Sequence, residues 1–382
     1  FLITIGDRSV TGLVSRDQMI GQYQIPVSDV AISLTDFKSK TGEVMTIGER
    51  PLISLYDSEA SIDLCLGEII TNISCCNIES LKNLKLSANW MASSSNDKEI
   101  NKLYSATKRL SRLCKQLNIT IPVGKDSLSM KTSWSKSKKN YEVESLVSLV
   151  LSGFSKINDV SQIITPDLKG DGNLYLIDIA NNQQRLGGSA FEQVNSLSIS
   201  DVPKIDSLES IKSYFELSQN LVKNKVISAY HDKSDGGLFT TLAEMAFAGN
   251  KSVILDKVTN LIDTNEKLNR FMFNEELGVV VEVQKNMEQK FKKLCKSSSI
   301  GKNIIHLGST KSRVKPVLRI ISKNNIEMPI YLLRASWSKL SYDIQSLRDN
   351  PKTSRQEYES KISIHKNYLK PKICIKAYKE QD

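Results

Sequence analysis

Apolar runs rich in β-branched residues alternate along this chain with stretches whose apolar positions recur every three or four residues. QIPVSDVAISL (24–34), PLISLYD (51–57), SLVSLVLSGF (145–154), GNLYLIDIA (172–180) and KVISAYHD (225–232) have the pattern of buried strands. In SEASIDLCLGEIITNISCC (58–76), Ile62, Leu66, Ile69 and Ile73 fall on one helical face. KEINKLYSATKRLSRLCKQL (98–117), SLESIKSYFELSQNLVKN (207–224) and LFTTLAEMAFA (238–248) also predict helices, and FNEELGVVVEV (273–283) a turn or short helix entering a strand. The alternation predicts an α/β (α+β) protein. The polar, lysine-rich SWSKSKKNYE divides a first unit, 1–144, from a second, 145–340, which SLVSLVLSGF opens. After residue 340 large apolar residues are few and charges many, so 341–382 reads as a linker. There is no short-period repeat.

Composition narrows the class. A chain of 382 residues, 40% hydrophobic, has room for two or three domains with cores, and no apolar run nears the ~18 residues of a membrane span. The six cysteines are scattered without a CxxC, which predicts reduced thiols in the cytoplasm rather than zinc or a disulfide framework. The net charge of +10 comes from dispersed lysines with no arginine or aromatic stripe, so neither nucleic acid nor membrane is an expected partner, although anionic small molecules are favoured. Phe1 is not a start methionine, FLITI resembles the tail of a strand, and KPKICIKAYKEQD starts a new one; a piece of a longer polypeptide is expected.

Candidate chemistry gathers in four places. Asp29 lies inside a strand-like run, where a carboxylate needs a cation, donors or a strand end; a turn-capping aspartate would explain it alone. Glu68 and Asn72 are four apart on the helix 58–76 and point the same way, a carboxylate and an amide oxygen suited to magnesium, or an ordinary solvated face. HDKSDGG (231–237) sits before a helix: Asp235 is a candidate N-cap, Asp232 a candidate magnesium ligand, and Ser234 a hydroxyl for phosphate or ribose. Gly236 and Gly237 would bring backbone amides close to phosphates. IPVGKDSLSMKT (121–132) places Lys125, Asp126 and Ser127 in a possible phosphate-handling loop, without a Walker A pattern. GDRSVTG (6–12) and RLGGSAF (185–191) read as structural turns.

IGDRSVTGLVSRDQM, PVSDVAIS, GERP, GEIITNI, LKLSANWM, PVGKDSLSMKT, LGGSAF, HDKSDGGLFTTLAEMAFAG, FNEELGVV and SLRDNP follow one another in an order that resembles the large form of phosphoribosylformylglycinamidine synthase, or formylglycinamide ribonucleotide amidotransferase. The likeness covers nearly the whole chain and loosens after residue 350. It implies an ATP- and glutamine-dependent ligase of de novo purine synthesis, built from two halves that each resemble aminoimidazole ribonucleotide synthetase. This chain resembles the second half, with the first half and a glutaminase domain as partners and the catalytic residues in those parts. The resemblance implies magnesium ligands at Asp29, Glu68, Asn72 and Asp232, nucleotide contacts at Ser28 and Ser234, and an ADP with a structural role. Lys233 stands where arginine is usual, and Asp382 where glycine is expected. A non-catalytic ADP-binding module and an independent enzyme of the same superfamily are the alternatives.

Overall fold

The computed structural model describes residues 12–323 and 325–363; FLITI, the GDRSVT turn and KPKICIKAYKEQD lie outside them. The first unit is a six-stranded sheet of β1 (Val14–Arg16), β2 (Ala31–Leu34), β3 (Gly42–Glu49), β4 (Lys85–Met91), β5 (Thr120–Ser127) and, beyond a hairpin of β6 (Lys131–Lys136) and β7 (Lys139–Glu144), β8 (Ser148–Ile157). Their spatial order is β1-β2-β3-β8-β4-β5, antiparallel except for the β4–β5 pair. Alternation sends Val44 into the core and Ile47 to the surface. Helix α1 (Ser58–Ile73), capped by the Asp57 carboxylate, and α2 (Asp97–Leu117), ended by left-handed Asn118, lie on the core face.

SLVSLVLSGF does not open the second unit. It is β8, paired on both sides in the middle of the first sheet, so the first unit runs to Ile157. The polar stretch before it is no boundary but an exposed hairpin, with Trp134 stacked on Tyr141 at 5.5 Å. PLISLYD is a 3₁₀ turn, as Pro51 has no N–H for a ladder. QIPVSDVAISL breaks into Ile25–Pro26 and β2, with Ser28, Asp29 and Val30 in the bend between.

The second unit is a seven-stranded sheet of β9 (Asn173–Asp178), β10 (Ala229–Asp232), β11 (Ser252–Leu255), β12 (Gly278–Val283), β13 (Ile304–Lys311), β14 (Val317–Ile320) and β15 (Ile326–Pro329), in the order β10-β12-β9-β13-β11-β14-β15. Helices α3 (Leu208–Lys223) and α6 (Glu288–Lys296) share a core with Tyr175, Ile177, Val279 and Val281. Helices α4 (Gly237–Gly249) and α5 (Asn265–Phe273) share another with Leu174, Leu176 and Val280. Strand alternation thus produces three layers, the mixed α/β architecture that the sequence predicts. The first of these cores is continuous with the core under α1, which joins the two units along the seam between α1 and β10.

The expected linker is helical through Ile362. Helices α7 (Ile330–Arg348) and α8 (Pro351–Ile362) pack together, with the Tyr358 hydroxyl donating to the Ala335 carbonyl at 3.0 Å. Asn350 caps α8 and Pro351 begins it, so RDNP is a helix start. Among the described residues, no helix is long and apolar enough to cross a membrane, and the five cysteines are free and buried.

Candidate functional site

The seam is fixed by tyrosines. Strand alternation turns Tyr230 and Asp232 of β10 towards α1, and His231 towards α4. The Tyr230 hydroxyl donates to the Thr71 carbonyl of α1 at 2.5 Å and shares a second hydrogen bond with the Tyr214 hydroxyl. This locks the end of α1 that carries Glu68 and Asn72 against the end of β10 that carries Asp232.

Asp29 reaches the same place from the bend before β2. Its side chain is 2% exposed, with Oδ1 2.6 Å from His231 Nδ1. Asp29 and Asp232 each bring a carboxylate oxygen there, and these oxygens and a His231 ring nitrogen lie within 4.8 Å of one another. Glu68 Oε2 accepts from the Glu49 amide at 3.0 Å and lies 3.8 Å from Arg50 Nε. Asn72 donates through Nδ2 to the Ile47 carbonyl at 3.1 Å. That leaves Asn72 Oδ1 and Asp29 Oδ2 buried with no hydrogen-bond partner. Buried polar atoms are nearly always satisfied, so a partnerless carboxylate oxygen on the Asp29–Asp232 pair and a partnerless amide oxygen one turn from Glu68 make this a candidate ligand site.

The electrostatics point the same way. Burial, with repulsion from Asp29, pushes Asp232 up to about 7. Burial pushes Glu68 up to about 8, against the pull of Arg50 and with repulsion from Asp232. Burial also raises Asp29. Burial opposes the charge on His231, but Asp29 and Glu244 outweigh it and hold the imidazole protonated. Arg50, 6% exposed, pairs with Glu68, Asp235 and Glu275, and their charges outweigh its burial and keep it ionised. Oxygen donors with surplus negative charge suit a hard divalent cation such as magnesium.

The start of α4 departs from expectation. Its N-cap is Gly236, whereas the Asp235 side chain is 81% exposed and pairs with Arg50. The amides of Gly236 and Ala190 donate to Glu275 Oε1 at 2.8 and 2.9 Å, and the Gly237 amide donates to the Ser234 carbonyl at 2.9 Å. A buried carboxylate of the protein therefore holds the place expected for a phosphate at the glycine pair. The glycines are required on other grounds: both have positive φ, and a Cβ at Gly237 would stand 2.6 Å from the Asn274 carbonyl oxygen.

Ser28 and Ser234 are half-buried beside Asp29 and Asp232 in the chain, and the Ser28 hydroxyl donates to the Val30 carbonyl at 2.7 Å. Lys125, Asp126 and Ser127 are not brought to the seam. They continue edge strand β5, because its parallel pairing with β4 runs on through Ser127, and β4 and β8 separate them from β3. Lys125 Nζ donates to Ser127 Oγ at 2.8 Å. Buried Lys233 donates to Asn274 Oδ1 at 2.6 Å. Sequence reasoning assigned no role to His231, Arg50 or Glu275. Arg50 and Glu275 meet across 225 residues, beyond any local pattern, while His231 had a signal in its place next to Asp232 on a buried strand. A cavity of about 280 Å³ lies between Arg50, Gly188, Ala190, Asp235 and Glu275, and Asp29, Glu68, Asn72 and Asp232 do not line it.

Residues 1–156 match the FGAR-AT PurM N-like domain, and residues 174–320 match the C-terminal domain of AIR synthase related proteins. Among solved structures, T. maritima PurL complexed with FGAR is similar with a TM-score of 0.57 at 11% identity, over 83% of this chain and 49% of that one. HypE in the HypE-HypF complex is similar with a TM-score of 0.53 at 13% identity, over 79% of this chain and 92% of that one. The chain thus spans about half the length of the PurL chain, and at these identities the likeness is one of fold. The two matches stand in tandem, an FGAR-AT PurM N-like domain followed by a C-terminal domain of AIR synthase related proteins.

Proposed function

We propose that this chain is the second synthetase half of a formylglycinamide ribonucleotide amidotransferase and holds a magnesium nucleotide, ATP or ADP, at the α1–β10 seam. The pair of orphaned oxygens, Asp29 Oδ2 and Asn72 Oδ1, in a cluster of buried carboxylates carries this reading. The FGAR-AT domain match, the PurL likeness and the ordered motifs support the family assignment. Asp29, Glu68, Asn72 and Asp232 would hold the cation, which when bound supplies positive charge for the phosphates. Ser28 and Ser234 would contact the nucleotide. Arg50 balances Glu68 and Glu275, and so keeps the cluster assembled.

The whole enzyme converts formylglycinamide ribonucleotide to formylglycinamidine ribonucleotide with ATP and glutamine, in the cytoplasm. The substrate amide oxygen is phosphorylated and then displaced by ammonia, which demands positioning and charge stabilisation more than covalent catalysis. The acid–base and nucleophilic groups belong to the first half and the glutaminase domain, the partners of this chain. Ile47 and Phe154, exposed on the outer face of the first sheet, fit an apolar partner sheet.

A second reading, an independent ATP-dependent enzyme of the superfamily, is favoured by the 92% coverage of HypE. Calorimetric titration of the EDTA-treated chain with MgADP tests the site. Binding that needs Mg²⁺ and is lost in Asp232→Ala is the expected result; equal binding with EDTA present would overturn the metal assignment.

A further inference from the structure

A hydrogen-bonded path leads from Asp29 to the C-terminal helices. His231 Nδ1 lies 2.6 Å from Asp29 Oδ1, and its Nε2 lies 2.9 Å from Glu244 Oε2 on α4. The other Glu244 oxygen accepts from the Trp337 indole N–H of α7 at 2.7 Å. Roles along this path are set by chemistry: an indole only donates, an ionised carboxylate only accepts, and so both imidazole nitrogens donate. Every polar atom in it has a partner except Asp29 Oδ2.

We propose that Trp337, acting through Glu244 and His231, positions Asp29 for the cation, so that its indole N–H contact, rather than the packing of α7 as a whole, governs metal affinity at the seam. This rests on the metal reading above and deepens it. His231 holds Asp29 Oδ1, which fixes the carboxylate plane and presents Oδ2 as the ligand atom. Without the Trp337 donor, Glu244 is free to turn, His231 loses its second anchor, and Asp29 can rotate both oxygens away. Ligand orientation of this kind is worth about 10–100-fold in metal affinity when an outer partner is removed.

Helix α7 is also seated by contacts other than the hydrogen bonds of this path. The Trp337 ring packs on Phe247 of α4 with centroids 5.7 Å apart, and buried Arg334 donates to the carbonyls of Lys361, in the last turn of α8, and of Ser363, just beyond it. Withdrawal of the Trp337 indole N–H from Glu244 would therefore be felt at Asp29 without touching it. His231, Glu244 and Trp337 are positioning residues here, not ligands.

The test uses Mn²⁺, whose free ion is counted by electron paramagnetic resonance, with the full chain and three variants. Trp337→Phe keeps an aromatic ring and removes the N–H; Glu244→Gln removes one acceptor; Leu333→Ala loosens α7 packing elsewhere and leaves the indole N–H in place. The expected result is a rise in the Mn²⁺ dissociation constant of roughly 3–10-fold for Trp337→Phe and 10–100-fold for Glu244→Gln. Leu333→Ala should lower the melting temperature and leave the constant unchanged. Unchanged affinity in both path variants, or an equal loss in Leu333→Ala, would overturn the relay while leaving the metal site intact. Absence of Mn²⁺ binding by the wild-type chain would overturn the metal reading, and the relay with it.

Discussion

Replacing Asp232 with asparagine should stabilise the metal-free protein while abolishing its function, a combination that ordinary core damage does not produce. Asp232 is buried and titrates at about 7 rather than its usual 3.8. Between those values the unfolded chain has released the proton that the folded chain retains, so stability falls as pH rises. Below 3.8 both states are protonated and the cost vanishes; above about 7 both are ionised and the full cost is felt. At about 1.4 kcal/mol per pH unit the full cost is on the order of 4 kcal/mol, of which about 3 kcal/mol develops between pH 5 and pH 8. The Asp232→Asn variant keeps the shape and does not titrate. Loss of an anion that supports His231 and Arg50 offsets part of the gain, so a net stabilisation of roughly 2 kcal/mol at pH 8 is expected. The assay is urea denaturation followed by circular dichroism, in EDTA, at pH 5 and pH 8. The stability difference between variant and wild type should widen with pH in EDTA and reverse with saturating MgADP, which stabilises only the chain that binds it. A variant less stable than wild type at both pH values, by a constant margin, would refute the reasoning.

Other substitutions probe the frame of the site. Gly237→Ala must adopt a positive φ with its Cβ against the Asn274 carbonyl, and should cost on the order of 2 kcal/mol in urea denaturation. Arg109→Leu removes the bidentate partner of buried Asp63 (2.6 and 2.8 Å) and should destabilise by about 3 kcal/mol; a loss below about 0.5 kcal/mol would show that Asp63 relies instead on the Ile205 amide. Ile47→Lys, on the exposed face of the first sheet, should shift the isolated chain towards monomer in analytical ultracentrifugation, whereas Lys125→Ala on edge strand β5 should leave MgADP affinity unchanged.

The helices α1 and α2 are legible in the sequence because their apolar faces repeat at helical spacing and their ends carry Asp57 and Asn118. What misleads is tertiary. β8 reads as the opening of a new unit because a lysine-rich hairpin precedes it, yet both of its neighbours in the sheet lie earlier in the chain. The helical continuation past residue 340 escapes a hydrophobic count because α7 and α8 pair through Tyr342 on Tyr358 and the buried Arg334, while the apolar contacts of α7 (Ile330, Leu333 and Trp337) fall before residue 340. For the candidate site, residue type alone singles out acids and amides, and the resemblance supplies their grouping. The fold adds what no local pattern shows: Arg50 and Glu275 as the internal charge pair, Glu275 rather than a phosphate at the glycine turn, and His231 as the anchor of Asp29.

The central claim is that the seam between α1 and β10 is a magnesium-nucleotide site, and the nucleotide content of the purified chain tests it most directly. The chain is denatured and the supernatant is resolved by HPLC, with and without prior EDTA. Near-stoichiometric ADP or ATP that disappears after EDTA, and is absent from Asp232→Ala, is the predicted result. A folded, monodisperse chain that carries no nucleotide and takes up none from added MgADP would contradict it.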